Sequence, residues 1–447
     1  MLERKLGNVE SSWCVANEVA PVNGVNIIKV KGPLDEPLLR YVLDQLQKRH
    51  PLTRVRIVKK RRNYYYESEG VGKIPLAIHH IKTAAEHRNI IEGEFRLPFN
   101  ENGPLMRVCL THIEDEPEYR YLIMNYLHAI GDGESVLNFV KEMLLTCNQV
   151  FNGIDFELEP LPIMPNAEKM FPKRLKTWKA RIEGIKFLLN QFKVEFLTGH
   201  KRISNKKYNH IKRSELETGF MQLEIEKALA DKVVKVASRQ GVSLHSAVCA
   251  SILMAMYEYY HTEIDYTKNK VRLRCLSFYN LRPFLRPRLR STHYGSYVST
   301  VGGIQTVGEG VDFWDLARSV KEDLKKETKS DGMFYMTQYA RLMLKTFLML
   351  GKYEIAALAV SNVGRIKYNE DFGSFKIEEY VGYVSNTGIC SNLALVLSRF
   401  NGNLRWNYMY AKPLLSDKAV DGIAERANEI LLEKIETVLA EERLFKA

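Results

Sequence analysis

The stretch Tyr119-Arg-Tyr-Leu-Ile-Met-Asn-Tyr-Leu-His128-Ala-Ile-Gly-Asp132-Gly133 decides the fold, because the hydrophobic periodicity of the chain changes at its end. Apolar and aromatic residues fill the part before His128 without a helical stripe, which predicts a strand buried on at least one face. After Ser135, apolar residues recur every three or four positions, so a helix begins there. His128 therefore ends a buried strand, and Asp132 lies in the turn that leads into the helix.

A histidine in this position suits acid–base chemistry. Its imidazole can be partly desolvated and held by its surroundings, and its ordinary pKa near neutrality suits a general base. Asp132, four residues later, can either orient the imidazole or brace the turn through an arginine. Gly131 and Gly133 can take positive φ and would let another chain or a ligand approach the backbone closely.

Composition indicates a cytoplasmic protein of two domains. The chain has 447 residues, 45% of them hydrophobic, and its net charge of +12 favours an acidic partner. That partner could be nucleic acid, an anionic membrane, a phosphorylated cofactor or an acidic carrier protein. The six cysteines are scattered without zinc spacing, as in reduced cytosolic proteins, so no metal is expected. The chain begins without an apolar signal core, and no uncharged run of about eighteen residues predicts a membrane span.

The motif His128-Ala-Ile-Gly-Asp132-Gly133 resembles the His-x-x-x-Asp-Gly signature of the acyl-CoA-dependent acyltransferase superfamily. That superfamily includes chloramphenicol acetyltransferase, the plant BAHD acyltransferases, nonribosomal condensation domains, and the alcohol and polyketide-associated acyltransferases. Condensation domains usually carry a second histidine directly before this one, where this chain has Leu127. The resemblance therefore favours the simpler acyltransferases, and the alternative is a core histidine that ends a strand beside a turn aspartate.

Two later segments extend the resemblance. Val271 to Pro283 is a predicted strand that ends in Asn-Leu-Arg-Pro, and the resemblance makes Arg282 the partner of Asp132 in a bidentate ion pair. The alternatives are that Arg282 binds the phosphates of a donor or lies in a solvated loop. The segment Ser361-Asn362-Val-Gly-Arg resembles the alcohol and polyketide-associated acyltransferases. Ser361 and Asn362 would then be oxyanion or tunnel donors, and the alternative is a plain strand-to-loop turn.

Residues 173–213 carry a basic amphipathic pattern. Apolar residues from Leu175 to Phe196 recur at steps of three and four, with lysines and arginines around them. A helix docked on the protein with a solvated basic face is one interpretation, and a peripheral membrane or hydrophobic-partner helix is another. A patch for a carrier protein or nucleic acid is the third, but no nucleic-acid-binding motif accompanies it, so nucleic acid is not expected.

The order of elements predicts two related lobes. We place an N-terminal lobe at residues 1–172, a basic crossover segment at 173–215 and a C-terminal lobe at 216–447. Within the last of these, Met333 to Ala357 is predicted to be one apolar helix. The resemblance implies an α/β fold in which two chloramphenicol-acetyltransferase-like lobes, with mixed sheets flanked by helices, form a pseudo-dimer around an interlobe tunnel.

The resemblance also implies an acyltransferase with His128, Asp132 and Gly133 as its catalytic motif. The enzyme would move an acyl group from a thioester to an alcohol, or less readily to an amine, with His128 as the general base. The donor would be acyl-CoA or a phosphopantetheinyl acyl carrier protein, with no bound cofactor. The alternatives are a carrier-protein-dependent, amide-forming condensation enzyme of the nonribosomal peptide type and a non-catalytic binding protein with the same fold.

Overall fold

The computed structural model describes residues 2–99, 102–154, 156–199, 210–263, 268–351, 354–368 and 372–444. The helices are α1 (Asn8–Asn17), α2 (Glu36–Arg49), α3 (Ala84–Arg96), α4 (Gly133–Phe151), α5 (Trp178–Leu197), α6 (Lys227–Arg239), α7 (Leu244–Glu263), α8 (Phe313–Lys329), α9 (Gly332–Met349) and α10 (Asp417–Leu444). The strands are β1 (Leu2–Lys5), β2 (Asn23–Lys31), β3 (Arg56–Lys60), β4 (Asn63–Glu67), β5 (Leu76–Ile81), β6 (Met106–Ile113), β7 (Tyr119–Leu127), β8 (Glu217–Ile225), β9 (Lys270–Asn280), β10 (Val298–Gly308), β11 (Glu354–Ala356), β12 (Leu358–Ile366), β13 (Lys376–Val384), β14 (Cys390–Ser391), β15 (Leu393–Phe400) and β16 (Asn403–Lys412).

The first large sheet is built around β7. Its strand order is β13-β2-β7-β6-β5, and β7 pairs antiparallel with both β2 and β6. The residues from Tyr121 to Leu127 are all buried, which confirms the predicted strand. Leu122, Met124 and Tyr126 belong to one hydrophobic core with Phe139 and Met143 of α4. The apolar face of α4 thus holds the end of β7 in place.

The second large sheet has the order β10-β9-β12-β15-β16-β8. Strand β12 lies at its centre and runs parallel to both β9 and β15. Trp406 and Tyr408 of β16 belong to one core with residues of α7, α8 and α10. The helix α7 is buried over most of its surface, because its sequence is apolar on nearly every side.

One strand from late in the chain belongs to the first sheet. Strand β13 pairs antiparallel with β2, so that Tyr380 lies opposite Ile28. The Tyr380 hydroxyl donates a hydrogen bond of 2.5 Å to Oδ1 of Asn26. The two halves of the chain are therefore interlocked by backbone pairing, and the boundaries at 172 and 215 stay a prediction.

The prediction of one helix from Met333 to Ala357 is wrong at its C-terminal end. Helix α9 ends at Met349, and Gly351 follows with φ at +66°. A glycine in the left-handed region is a common helix stop, because it satisfies the last carbonyls without a Cβ clash. The chain then enters the short strand β11, which pairs in parallel with β14.

Helix α5 forms where the basic pattern predicts a helix, but it does not dock through its apolar stripe. Its buried residues are Ala180, Gly184, Gln191 and Glu195. Trp178, Ile182, Ile185 and Leu189 are exposed instead. The part of the predicted basic run at 201–209 lies outside the described residues.

None of the helices in the described ranges is long and apolar enough to cross a bilayer. The cysteines are free thiols, and all except the half-buried Cys390 are buried. The cytoplasmic location stays a prediction.

We expect Gly302→Ala to lower the free energy of unfolding by about 2 kcal/mol or more. Gly302 in β10 has φ at +152°, and an added Cβ would lie 2.1 Å from the backbone oxygen of Cys275. Urea unfolding measures the change. Gly422→Ala on α10 is the matched control, since no atom lies within 4 Å of its added Cβ. Gly422→Ala should instead raise the free energy of unfolding by about 0.5–1 kcal/mol. If both substitutions changed the free energy of unfolding equally, the steric explanation for Gly302 would be wrong.

Candidate active site

The strand–turn–helix motif brings His128 and Asp132 to the boundary between the two halves of the chain. Strand β7 ends at Leu127 and α4 begins at Gly133. Asp132 is the N-cap of α4, and its Oδ1 accepts a 3.0 Å hydrogen bond from the backbone N–H of Ser135. Such a cap satisfies a backbone donor that has no partner inside the helix, so it fixes the point at which the helix starts.

Asp132 forms the bidentate ion pair with Arg282 that the resemblance implies. Nη1 of Arg282 donates to Oδ2 over 2.7 Å, and Nη2 donates to Oδ1 over 2.9 Å. Oδ2 also accepts a 2.9 Å hydrogen bond from the backbone N–H of Tyr297. Both charged residues are buried, so Arg282 connects the halves and is not placed to bind donor phosphates. Asp132 therefore braces the turn and does not orient the imidazole.

Ser135 completes this network. Its hydroxyl donates to the carbonyl of Gly295 over 2.8 Å, while Nη2 of Arg282 donates to the Ser135 oxygen over 2.8 Å. The Gly295 carbonyl accepts a further 3.0 Å bond from Arg282. A buried charge requires this kind of compensation, because each unmatched polar atom in the interior is destabilising.

The pKa of Asp132 reflects these contacts. Burial by itself would raise the pKa of the carboxyl group, but the Arg282 guanidinium outweighs it. The backbone N–H groups of Tyr297 and Ser135 act in the same direction, so the pKa lies below its ordinary value. The carboxylate is thus ionised at neutral pH despite its burial.

His128 is half-buried and stacks on an aromatic ring. The ring centroids of His128 and Trp13 lie 4.5 Å apart at an interplanar angle of 23°. Nδ1 of the imidazole is buried, whereas Nε2 remains accessible. The indole Nε1 of Trp13 donates to Oγ of Ser296 over 3.2 Å, next to Gly295 in the network described above. Trp13 thereby fixes the plane of the imidazole.

Burial lowers the pKa of His128 below its ordinary value. The charge of Asp132 and the backbone carbonyls of His128 and Gly131 offset the effect only in part. The imidazole is therefore neutral near pH 7 and can accept a proton at the accessible Nε2.

The two glycines of the motif do not act through positive φ, which corrects the sequence-based expectation. Gly131 is required by close approach, because an added Cβ would lie 2.9 Å from the ring of Tyr294. Gly133 lines the cavity described next, and an added Cβ there would meet only Val363, at 3.9 Å. A larger side chain at position 133 would instead occupy cavity space.

A cavity of about 240 Å³ lies beside His128. One wall comes from α1 and the motif itself, and the others come from β9, β10, α9, β12 and residues 384–396. The exposed lining is mostly apolar, and its polar members are His128, Asp132, Cys390 and several hydroxyl and amide side chains. The cavity therefore lies between the two halves of the chain, as a tunnel would, whereas two separate mouths stay a prediction.

The two residues of the Ser-Asn motif have different positions. Ser361 on β12 lines the same cavity as His128. Asn362 is exposed, and its Oδ1 accepts a 2.9 Å hydrogen bond from the backbone N–H of Gly364. Neighbours on a strand point to opposite faces, so only Ser361 can face the cavity. The structure thus removes Asn362 from the oxyanion candidates and keeps Ser361.

Sequence reasoning missed Trp13. It lies on α1, more than a hundred positions before His128, and no local motif surrounds it. Only the packing of α1 beside the motif brings the two rings together. The described residues contain no group of three or more histidine, cysteine or acidic side chains arranged to hold a metal ion.

Solved structures share this architecture across almost the whole chain. Polyketide synthase associated protein 5 from Mycobacterium tuberculosis matches with a TM-score of 0.68 at 15% identity, over 96% of this chain and 98% of that one. Trichothecene 15-O-acetyltransferase from Fusarium sporotrichioides matches with a TM-score of 0.72 at 10% identity, over 96% and 95%. The epimerization domain from the third module of tyrocidine synthetase B gives 0.69 at 13% identity, over 98% of both chains.

These matches confirm the chloramphenicol-acetyltransferase-like fold of two lobes. Residues 215–390 in addition match the family described as phthiocerol/phthiodiolone dimycocerosyl transferase C-terminus. No curated protein matches the chain significantly. The chain thus shares its fold with acyltransferases and with domains of nonribosomal peptide synthetases, and residues 215–390 resemble a transferase family.

We expect Asp132→Ala to lower the free energy of unfolding by about 3–5 kcal/mol, because it leaves the Arg282 guanidinium buried without its partner. Urea unfolding measures this loss. Asp315→Ala is the control, since its 2.7 Å pair with Arg318 lies on the exposed face of α8. An exposed pair contributes about 1 kcal/mol or less. A stably folded but inactive Asp132→Ala would contradict the bracing role.

Proposed function

We propose that this protein is an acyltransferase that moves an acyl group from a thioester to an alcohol or amine, with His128 as the general base. The single observation that carries the proposal is the accessible Nε2 of a neutral, half-buried imidazole at an apolar cavity between two lobes. Family and fold support an acyltransferase or condensation-type function. We expect an alcohol acceptor and an O-acyl product rather than an amine acceptor and an N-acyl product.

In the proposed reaction, Nε2 of His128 removes the proton of the acceptor as its oxygen or nitrogen attacks the thioester carbonyl. A tetrahedral oxyanion forms and then collapses, so that the carbon–sulfur bond breaks. The imidazolium returns its proton to the departing thiolate, which leaves as a thiol. The reaction as proposed requires neither a metal ion nor a covalent acyl-enzyme intermediate.

Other residues of the motif would support this step from fixed positions. The Ser361 hydroxyl at the cavity wall is the candidate donor to the oxyanion. Gly133 keeps the cavity open beside His128, and Asp132 with Arg282 holds the turn. The apolar lining favours an acyl chain or an apolar acceptor, because it excludes water and offers few polar partners.

The donor is either acyl-CoA or an acyl carrier protein. Condensation and epimerization domains are among the similar structures, so an amide-forming enzyme that needs a carrier remains the second candidate. Leu127 in place of the second histidine favours the simpler reaction. Comparing free acyl-CoA with the same acyl group on a carrier protein separates the two, and a protein inert with both would be a binding protein.

We expect His128→Ala to reduce turnover by about 10²–10⁴, which is the usual contribution of a general base. Release of free thiol from acyl thioesters, followed with a thiol reagent, measures the rate. His80→Ala is the matched control, because His80 is exposed on β5 and stacks only on His112. Unchanged turnover in a folded His128→Ala protein would remove the assignment.

The dependence of kcat/KM on pH should show an acidic limb centred below pH 6.5, the ordinary value for histidine. The base works only when unprotonated, and burial lowers its pKa, so activity falls only as pH drops through that lowered value. Asp132 stays ionised over this range because its pKa is also lowered. A limb centred above pH 6.5, or one that persists in His128→Ala, would argue against His128.

A further inference from the structure

The surface of α5 has an inverted arrangement of polar and apolar residues. Helices that dock on a protein usually bury their apolar stripe and expose their polar face. In α5 the exposed fractions are 67% for Trp178, 52% for Ile185 and 63% for Leu189. Ile182 lies between them and is also exposed. Their spacing of three and four residues places them on one side of the helix.

Buried polar contacts hold α5 in this orientation. Nη2 of Arg274 donates to Oε1 of Gln191 over 2.7 Å, and the buried carboxylate of Glu195 lies 3.7 Å from Arg274. Gly184 faces α9, where an added Cβ would lie 3.1 Å from the ring of Tyr339. Rotating the helix to bury its apolar side would expose Gly184 and break the contacts of a buried arginine. The outward apolar face is therefore a consequence of specific packing.

Positive charges border this apolar face. Lys179, Lys186 and Lys193 follow one another at seven-residue spacing, so they form a row along one edge. Arg181 lies on the opposite edge, and all four side chains are exposed. Lys186 pairs with Glu183 over 2.7 Å, so the bordering cations without an ion pair among the described residues are Lys179, Lys193 and Arg181. An apolar face bordered by cations is typical of helices that lie in the interface of an anionic bilayer.

Helix α9 packs against α5, and exposed apolar side chains on and directly after α9 lie on the other side of this helix from the cavity. Leu342, Met349 and Leu350 are exposed, with Met349 at 77%. The T-shaped contact of Phe192 with Phe347, at 5.4 Å between centroids, joins α5 to α9. The inner side of α9 lines the cavity beside His128, with Met336, Ala340, Met343, Leu344 and Phe347. The exposed apolar side chains of α9 and its cavity-lining side chains thus lie on opposite sides of the same helix.

We propose that the exposed face of α5 and the adjoining end of α9 bind the surface of an anionic lipid bilayer. The apolar residues enter the acyl boundary while the bordering cations contact the head groups. The cavity then lies about one helix diameter, roughly 10 Å, from the lipid. This property is independent of the proposed reaction, because binding is measured on the full chain without substrate.

Flotation with vesicles tests the proposal. We expect the protein to bind vesicles of equal parts phosphatidylglycerol and phosphatidylcholine, and to bind pure phosphatidylcholine at least tenfold more weakly. Trp178→Ser/Ile185→Ser/Leu189→Ser should lose at least tenfold in binding. The matched control is Tyr41→Ser/Leu97→Ser, which removes side chains 48% and 52% exposed in the first half of the chain and should bind like wild type.

Charge reversal gives an independent measurement. Lys179→Glu/Lys193→Glu should weaken binding about 25-fold or more, because each basic residue at an anionic surface contributes about fivefold. Lys232→Glu/Lys235→Glu on α6 changes the net charge equally, at exposed positions outside the face, and should have a much smaller effect. Circular dichroism shows that each variant folds, as substitutions at exposed positions should.

Tryptophan fluorescence reports direct contact with lipid. The emission of Trp178 should shift to the blue when anionic vesicles are added, and Trp178→Phe should still bind but lose the shift. Binding that is equal on neutral and anionic vesicles would overturn the proposal, as would serine variants that bind like wild type. A dimer that the serine variant converts to a monomer, without vesicle binding, would also overturn it and assign the face to a second copy of the chain.

Discussion

The buried ion pair between Asp132 and Arg282 is the constraint on which the rest of the site depends. It joins residues 150 positions apart and uses both oxygens of the carboxylate. A charge in the interior is tolerated only when its partner and hydrogen bonds are in place, so one arrangement of the halves is strongly preferred. The same carboxylate caps α4, and the position of the helix, the turn and His128 is therefore set together.

The chemistry of His128 follows from that position. The end of β7 places the imidazole where one nitrogen is buried and the other is accessible, and Trp13 holds the ring plane. Burial disfavours the imidazolium, so the ring is available as a base near neutral pH. In the proposed reaction, charges that develop in the apolar cavity would interact strongly with nearby dipoles. The proposed function and the fold would thus depend on the same contacts.

The cavity and the surface of α5 are connected through α9. The polar side of α5 faces inward because Gln191 bonds to the buried Arg274 and Gly184 packs closely against α9. The apolar side of α5 is therefore exposed beside its lysines. Since α9 carries cavity-lining residues on its other side, a bilayer at this surface would lie close to the proposed reaction centre. Such a location suits an enzyme with apolar substrates, which partition into membranes.

The sequence by itself determined the elements and the motif. Periodicity located β7 and α4, because that signal is local. The ion pair of Asp132 with Arg282 was expected only because two short motifs of the sequence resemble those of a known superfamily. Tertiary structure decided the rest. Trp13 reaches His128 and β13 joins the first sheet only through contacts between distant segments. The stripe on α5 was visible in sequence, but its outward direction depends on a buried arginine from β9, and periodicity carries no information about which side of a helix finds a partner.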